Sequence, residues 1–157
     1  MLMKLIIDTS EQAPLDFVET EGVEIVKQHL QVGDYTAMHG NDMDNTVIER
    51  KSISDLFNSF TNNYEAERDK IIRSQVRGLK YIIAIEASAS EIRKGHSYVH
   101  DGKMVETKKS GISQVRQLMT ITRKYGCEVW FCESRKDMAF RIMEYFLAEE
   151  RVRQWID

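Results

Sequence analysis

The sequence predicts an α/β domain in which helices flank one mixed central sheet, and three observations carry that prediction. Short apolar segments alternate with helical stripes along all 157 residues. The predicted strands cluster at the N-terminus and then recur singly between helices. No repeat, low-complexity stretch or linker rich in Pro, Gly or Ser divides the chain. A single domain over residues 1–157 follows, long enough to bury roughly 70% of its unfolded-chain surface.

Residues 4–8 (KLIID), 23–27 (VEIVK), 34–38 (DYTAM) and 46–50 (TVIER) read as strands separated by turn signals, which predicts an N-terminal strand meander. The period then changes. Ile53, Leu56, Phe57 and Phe60 fall at i, i+3, i+4 and i+7 behind a capping box made by Ser52 and Asp55. A second helix is predicted over residues 63–76, ended by Gly78 before a fully apolar central strand over 81–85. Residues 88–110 lack periodicity and read as a long exposed basic loop, with room for a hairpin across Asp101-Gly102. A helical stripe from Ile112 to Tyr125, a strand over 127–132 and a last stripe from Met138 to Leu147 complete a parallel βαβ portion.

Composition narrows the function. The chain is 42% hydrophobic and 30% charged, which excludes a disordered tail or a fibre, and its net charge of −3 excludes a protein held to nucleic acid by bulk charge. Any DNA contact must be local. The N-terminus meets Asp8 and Glu11 before a signal sequence can form, and no stretch approaches the ~20 apolar residues of a membrane span, so an intracellular, cytoplasmic location is expected. Cys127 and Cys132, five residues apart on one strand, face opposite ways and are expected as reduced packed thiols.

The chemically informative residues are Asp34, next to Gly33, and the run Glu49-Arg50-Lys51 one strand later. Alternation along a strand puts Glu49 and Lys51 on one face about 7 Å apart, with Arg50 opposite. If the strand carrying Asp34 pairs antiparallel with this one, Asp34 and Glu49 converge on one cation and leave Lys51 beside it. Phosphodiester hydrolysis needs such a set: hard carboxylates for Mg²⁺ or Mn²⁺, and an ammonium for the nucleophile or the transition state. Asp8 ends the first strand and Glu11 follows it, so both acids can reach the same sheet edge. Residues 1–49 hold ten acids against Lys4 and Lys27, a net of −8 that calls for a counterion or a solvated face.

These residues resemble a known family. Gly33-Asp34, Glu49-Arg50-Lys51 and then Asp55 are similar to the GD…ERKxxxD signature of the XPF-type structure-specific endonucleases, a branch of the PD-(D/E)xK nucleases. Asp8-Thr9-Ser10-Glu11-Gln12 resembles that family's DTREQ strand, with Ser10 in place of its Arg. Gln31-Val32-Gly33-Asp34-Tyr35 resembles LxVGDY, and Ile83-Ala84-Ile85-Glu86 resembles LLIE. The resemblance implies a restriction-endonuclease-like fold. It implies metal binding by Asp34 and Glu49, assisted by Glu11 and Asp8, with Lys51 as the catalytic cation and Arg50 anchoring the site or contacting phosphate. Asp55 is divided between helix cap and site support.

Residues 87–125 carry eight basic side chains against three acids, a local net of +5. Arg93, Lys94, Lys103, Lys108 and Lys109 are the candidate DNA-backbone contacts, against the alternative of a solvated loop. The expected function is a Mg²⁺- or Mn²⁺-dependent DNA endonuclease acting on double-stranded, branched or distorted DNA. A restriction-type nuclease with the same chemistry remains open, and the alternative from another class is a catalytically inactive nuclease-like scaffold or DNA-binding subunit. Family resemblance and the apolar residues Trp130, Phe131, Met143, Phe146, Leu147 and Trp155 also imply a homodimer through the C-terminal strand and helix.

Overall fold

The computed structural model describes residues 3–95, 97–106 and 109–155. Lys108, one of the candidate DNA contacts, lies outside them. In chain order the elements are β1 (Met3–Ile7), β2 (Val23–Lys27), β3 (Tyr35–His39), β4 (Asp42–Met43), β5 (Thr46–Lys51), α1 (Ile53–Asn62), α2 (Tyr64–Val76) and β6 (Lys80–Ile85). There follow α3 (Ala89–Arg93), β7 (Ser97–His100), β8 (Lys103–Glu106), α4 (Gly111–Tyr125), β9 (Glu128–Phe131) and α5 (Arg135–Trp155).

One mixed sheet runs in the order β2-β1-β3-β5-β6-β9, with β4 paired to β3. Strands β5, β6 and β9 are parallel and joined through helices, as their alternation in the sequence predicts. The N-terminal part departs from a simple meander: β1 and β2 are parallel, in register Met3 to Val23. Residues 8–22 are too long for a hairpin and carry the chain back across, which frees the other edge of β1 for antiparallel β3.

Alternation along the strands sorts the core into two layers. Ile48, Ile82, Ala84 and Cys132 face α5, packing with Met138, Ile142 and Phe146. Val47, Ile83, Ile85 and Cys127 face the helices α1, α2, α3 and α4, packing with Leu56, Phe57, Ile71, Ile92 and Leu118. The two cysteines are free, buried and on opposite faces of the sheet. Tyr35 anchors the long β1–β2 connection over the first layer, its hydroxyl accepting the Leu15 N–H at 2.9 Å while Phe17 packs edge-on at 5.6 Å. His39 ties α5 to β3, with its ring nitrogens 2.6 Å from Glu150 and 2.9 Å from Asp44.

The hairpin across Asp101-Gly102 is present, with both residues at positive φ of 51° and 72° as a tight turn between twisted strands requires. The short helix α3, capped by Ser88 Oγ on the Glu91 N–H, replaces part of the expected loop. Five residues are too few for apolar periodicity to register. Helix α5 extends well past the predicted stripe, to Trp155. Among the described residues no helix is long and apolar enough to cross a membrane.

Candidate active site

Glycine at position 33 sets the first acid. Its φ of +80° and the 2.9 Å that a Cβ would leave to Val47 Cβ both exclude a side chain there. The chain can therefore run close against β5, with the Asp34 N–H donating to the Ile48 carbonyl at 2.8 Å and Tyr35 in register with Ile48. Strands β3 and β5 are antiparallel, so Asp34 arrives beside Glu49 and Arg50. Its carboxylate accepts the Arg50 backbone N–H at 2.8 Å. Burial, then the neighbouring Glu49 charge, push the Asp34 carboxyl up to about 7.

Strand β5 divides its three charges between the two faces of the sheet. Glu49 and Lys51 turn toward α1 and α2, and Lys51 Nζ lies 3.8 Å from Glu49 Oε1. Two of the ammonium's donors are taken, by Ser59 Oγ and by Glu67 Oε1, each at 2.9 Å. Arg50 turns the other way. Its guanidinium grips both oxygens of Glu11 at 3.0 and 2.8 Å and donates to Glu86 at 2.8 Å. Burial opposes the Glu11 charge, but the Arg50 hydrogen bonds outweigh it and hold that carboxyl below its ordinary value. Arg135, at the start of α5, donates to the same Glu86 oxygen at 2.8 Å and to the carbonyls of Ala13 and Pro14 at 2.9 and 3.0 Å, clamping the Glu11 loop to the sheet.

One open cleft is lined by Ser10, Glu11, Gln12, Asp34, Glu49, Arg50, Lys51, Asp55 and Ser59. The structure thus brings together every predicted catalytic residue. The Ser52 cap is formed, its Oγ accepting the Asp55 main-chain N–H at 3.1 Å, and Asp55 lines the cleft. Asp8 is the exception among the predicted acids. Its backbone N–H donates to the Asp34 carbonyl at 2.8 Å, but its carboxylate accepts from Leu30 N at 2.7 Å, from Ser10, and pairs with His29 at 3.6 Å. That side chain ties down the loop leaving β1 and does not line the cleft.

Two side chains around the cleft were not visible as site residues in the sequence. Glu67 is buried on α2, and Lys70, one turn on, lies 3.4 Å from Glu67 and 3.2 Å from Glu49. Burial disfavours both charges, yet Lys51 and Lys70 together keep the Glu67 carboxyl low, while Glu49 and Glu67 keep the Lys70 ammonium high.

The donor set suits a hard divalent ion. Among the described residues no three His, Cys, Asp or Glu side chains assemble into a metal cage. Two carboxylates, Asp34 and Glu49, open onto a solvent-filled cleft, the arrangement Mg²⁺ favours because it keeps waters and takes further oxygens from substrate phosphate. The proton-retaining Asp34 beside Glu49 shows two acids whose repulsion a dication relieves.

Among the described residues, none of the candidate DNA-backbone contacts lines this cleft. Arg93, Lys94 and Lys103 are exposed, and the β7–β8 hairpin packs on α1, the helix that lends Asp55 and Ser59 to the cleft. Lys109 differs from an exposed contact: it is half-buried, bonded to Gln117, and burial lowers its pKa.

A mixed sheet that brings Asp34, Glu49 and Lys51 to one end of its central strands, between a layer of four helices and a single long helix, defines a restriction-endonuclease-like fold. The ERCC4 domain profile matches residues 7–143, and the chain belongs to the ERCC4 domain family. Its fold is similar to that of XPF from Aeropyrum pernix, with 18% identity, a TM-score of 0.59, and coverage of 88% of this chain and 57% of that one. The same archaeal protein in complex with DNA matches with 17% identity and a TM-score of 0.60, over 90% of this chain and 62% of that one. The chain therefore spans about three-fifths of the length of these structures. Comparison with curated proteins returns no match.

Proposed function

We propose that this chain is a Mg²⁺- or Mn²⁺-dependent endonuclease that hydrolyses phosphodiester bonds of double-stranded DNA at branched or distorted positions. The observation that carries the reading is the cleft in which Asp34, Glu49 and Lys51 meet, two hard acids and one ammonium contributed by adjoining strands. Asp34 and Glu49 would hold the ion. Bound there, it would draw charge off the scissile phosphate and acidify water.

The chain's own residues do the rest. Lys51 lines the cleft, where its ammonium can orient the nucleophile or stabilise charge building on the phosphate. Arg50 carries its charge into the Glu11–Glu86 pair and so sets the height of the Glu11 loop at the cleft rim. Arg93, Lys94 and Lys103, exposed at α3 and β8, would supply backbone contacts that carry no base code. DNA as substrate is supported by the DNA complex of the similar archaeal protein, and the preference for branched or distorted DNA rests on family resemblance.

Cleavage assays on duplex, flap, fork and four-way junction DNA, with EDTA and then with Mg²⁺ or Mn²⁺, test this reading. Metal-dependent cutting that disappears in Asp34→Asn, Glu49→Gln and Lys51→Met is expected. Binding without cutting in every metal would move the chain to the class of inactive nuclease-like subunits.

A further inference from the structure

The acid that the nuclease reading does not employ is Glu67. It sits in the first turn of α2, 6% exposed, beneath the cleft and outside the GD…ERKxxxD pattern. A carboxylate so buried is costly unless paired. It is paired twice through one oxygen: Oε1 accepts from Lys51 at 2.9 Å and from Lys70 at 3.4 Å. Lys70 in turn reaches Glu49 Oε1 at 3.2 Å, and Lys51 lies 3.8 Å from that same atom. Glu49, Lys51, Glu67 and Lys70 therefore close a ring of alternating charges between β5 and α2.

We infer that Glu67 is the residue that positions Lys51 for phosphodiester chemistry, an assignment that rests on the nuclease reading above. A lysine stem has about 2 kcal/mol of rotamer entropy to lose, and its ammonium is a point charge with no built-in direction. Without a fixed partner, Lys51 has a nearer alternative than the substrate. That alternative is Glu49, less than 4 Å away. Glu67, which does not line the cleft, holds the Lys51 ammonium at 2.9 Å and so keeps it 3.8 Å from Glu49 Oε1, too long for a hydrogen bond. Ser59 Oγ supplies the second bond that fixes the rotamer. Lys70, more exposed, balances the second half of the Glu67 charge.

The test uses the full chain and two variants. Glu67→Gln keeps an acceptor and the side-chain shape, and Glu67→Leu removes both. Folding is monitored by thermal melts, so that an unfolded Leu variant leaves the Gln variant decisive. Two quantities are read: kcat and KM on whichever DNA the wild type cuts under saturating Mn²⁺, and the ¹H–¹⁵N signal of the Lys51 ammonium, assigned by its loss in Lys51→Met. In folded Glu67→Gln, kcat is expected to fall about tenfold or more with KM within twofold, and the Lys51 signal, protected in the wild type, to be lost to solvent exchange. A wild-type kcat, a change in KM alone, or an unchanged Lys51 signal overturns the assignment. If the wild type cuts no DNA, the nuclease reading fails by itself, and the Lys51 signal still decides whether Glu67 holds the lysine.

Discussion

The carboxylate of Asp34 is held by the backbone N–H of Arg50 at 2.8 Å, and the Asp34 N–H is in turn held by the carbonyl of Ile48. The acid of one strand is thus fixed by main-chain groups of the next, on either side of Glu49. This double clasp makes the spacing between the two candidate metal ligands a property of the sheet, largely independent of side-chain rotamers.

Gly33→Ala should loosen the clasp. A Cβ at φ +80° is strained by about 1–2 kcal/mol and would stand 2.9 Å from Val47 Cβ. Urea unfolding should show a loss on the order of 2 kcal/mol, with cleavage reduced further than stability alone explains. Unchanged stability would mean that β3 does not need this close entry.

Asp34 should make the metal-free protein more stable in acid. Its folded carboxyl holds a proton up to about pH 7, whereas an unfolded aspartate releases it near pH 4. The fold therefore binds the extra proton between those values, and its stability falls as pH rises through them, by up to about 4 kcal/mol. In EDTA at pH 8, Asp34→Asn should melt higher than wild type, with the gap narrowing toward pH 5. Mn²⁺ should stabilise the wild type by about 2.7 kcal/mol at 100 times Kd and Asp34→Asn by much less. Equal responses in the two proteins would remove Asp34 from the ligand set.

Arg50→Ala should damage the fold as well as the activity. It strands Glu11, whose side chain is only 5% exposed, and leaves Glu86 with Arg135 in place of two guanidinium partners. A loss of about 3 kcal/mol is expected in denaturant melts. Arg50→Lys should recover only part of it, because an ammonium cannot grip both Glu11 oxygens.

Neutralising Arg93, Lys94 and Lys103 together should weaken DNA binding equally across sequences. The slope of log K against log salt should become shallower by about 0.9 for each phosphate that the protein no longer neutralises. Lys109→Gln should change the slope less, since that ammonium is already engaged by Gln117. An unchanged slope in the triple variant would mark these side chains as merely solvated.

Dimerisation, expected through the C-terminal strand and helix, must use fewer residues than the sequence suggests. Phe146 and Met143 are buried within one chain, and Trp130 packs against Tyr145 and Arg141. The exposed apolar side chains on α5 are Phe140, Val152 and Trp155. Sedimentation equilibrium at micromolar concentration should show a dimer that Trp155→Glu converts to monomer. A monomeric wild type would exclude this contact.

Much of the sheet and the heart of the site were legible because they obey rules that act along the chain. Alternation sends Glu49 and Lys51 to one face of β5 and Arg50 to the other, and Gly33 marks the place where the backbone must turn left-handed to enter β3. The capping Ser52 and the period change at Ile53 locate α1 without reference to anything distant. What the sequence left open depends on which surfaces meet. Nothing local distinguishes Glu67 and Lys70 from the solvated charges around them on α2, and only the packing of α2 against β5 makes them partners of Lys51 and Glu49. Asp8 looked equivalent to Glu11 by position, yet Leu30, 22 residues on, claims its carboxylate. Arg135 joins Glu86 across 49 residues. Strand faces and helix caps follow from neighbours a few residues apart, so the sequence by itself determined them. Ion pairs form between groups that folding brings together, so only the tertiary structure decided which charges belong to the site.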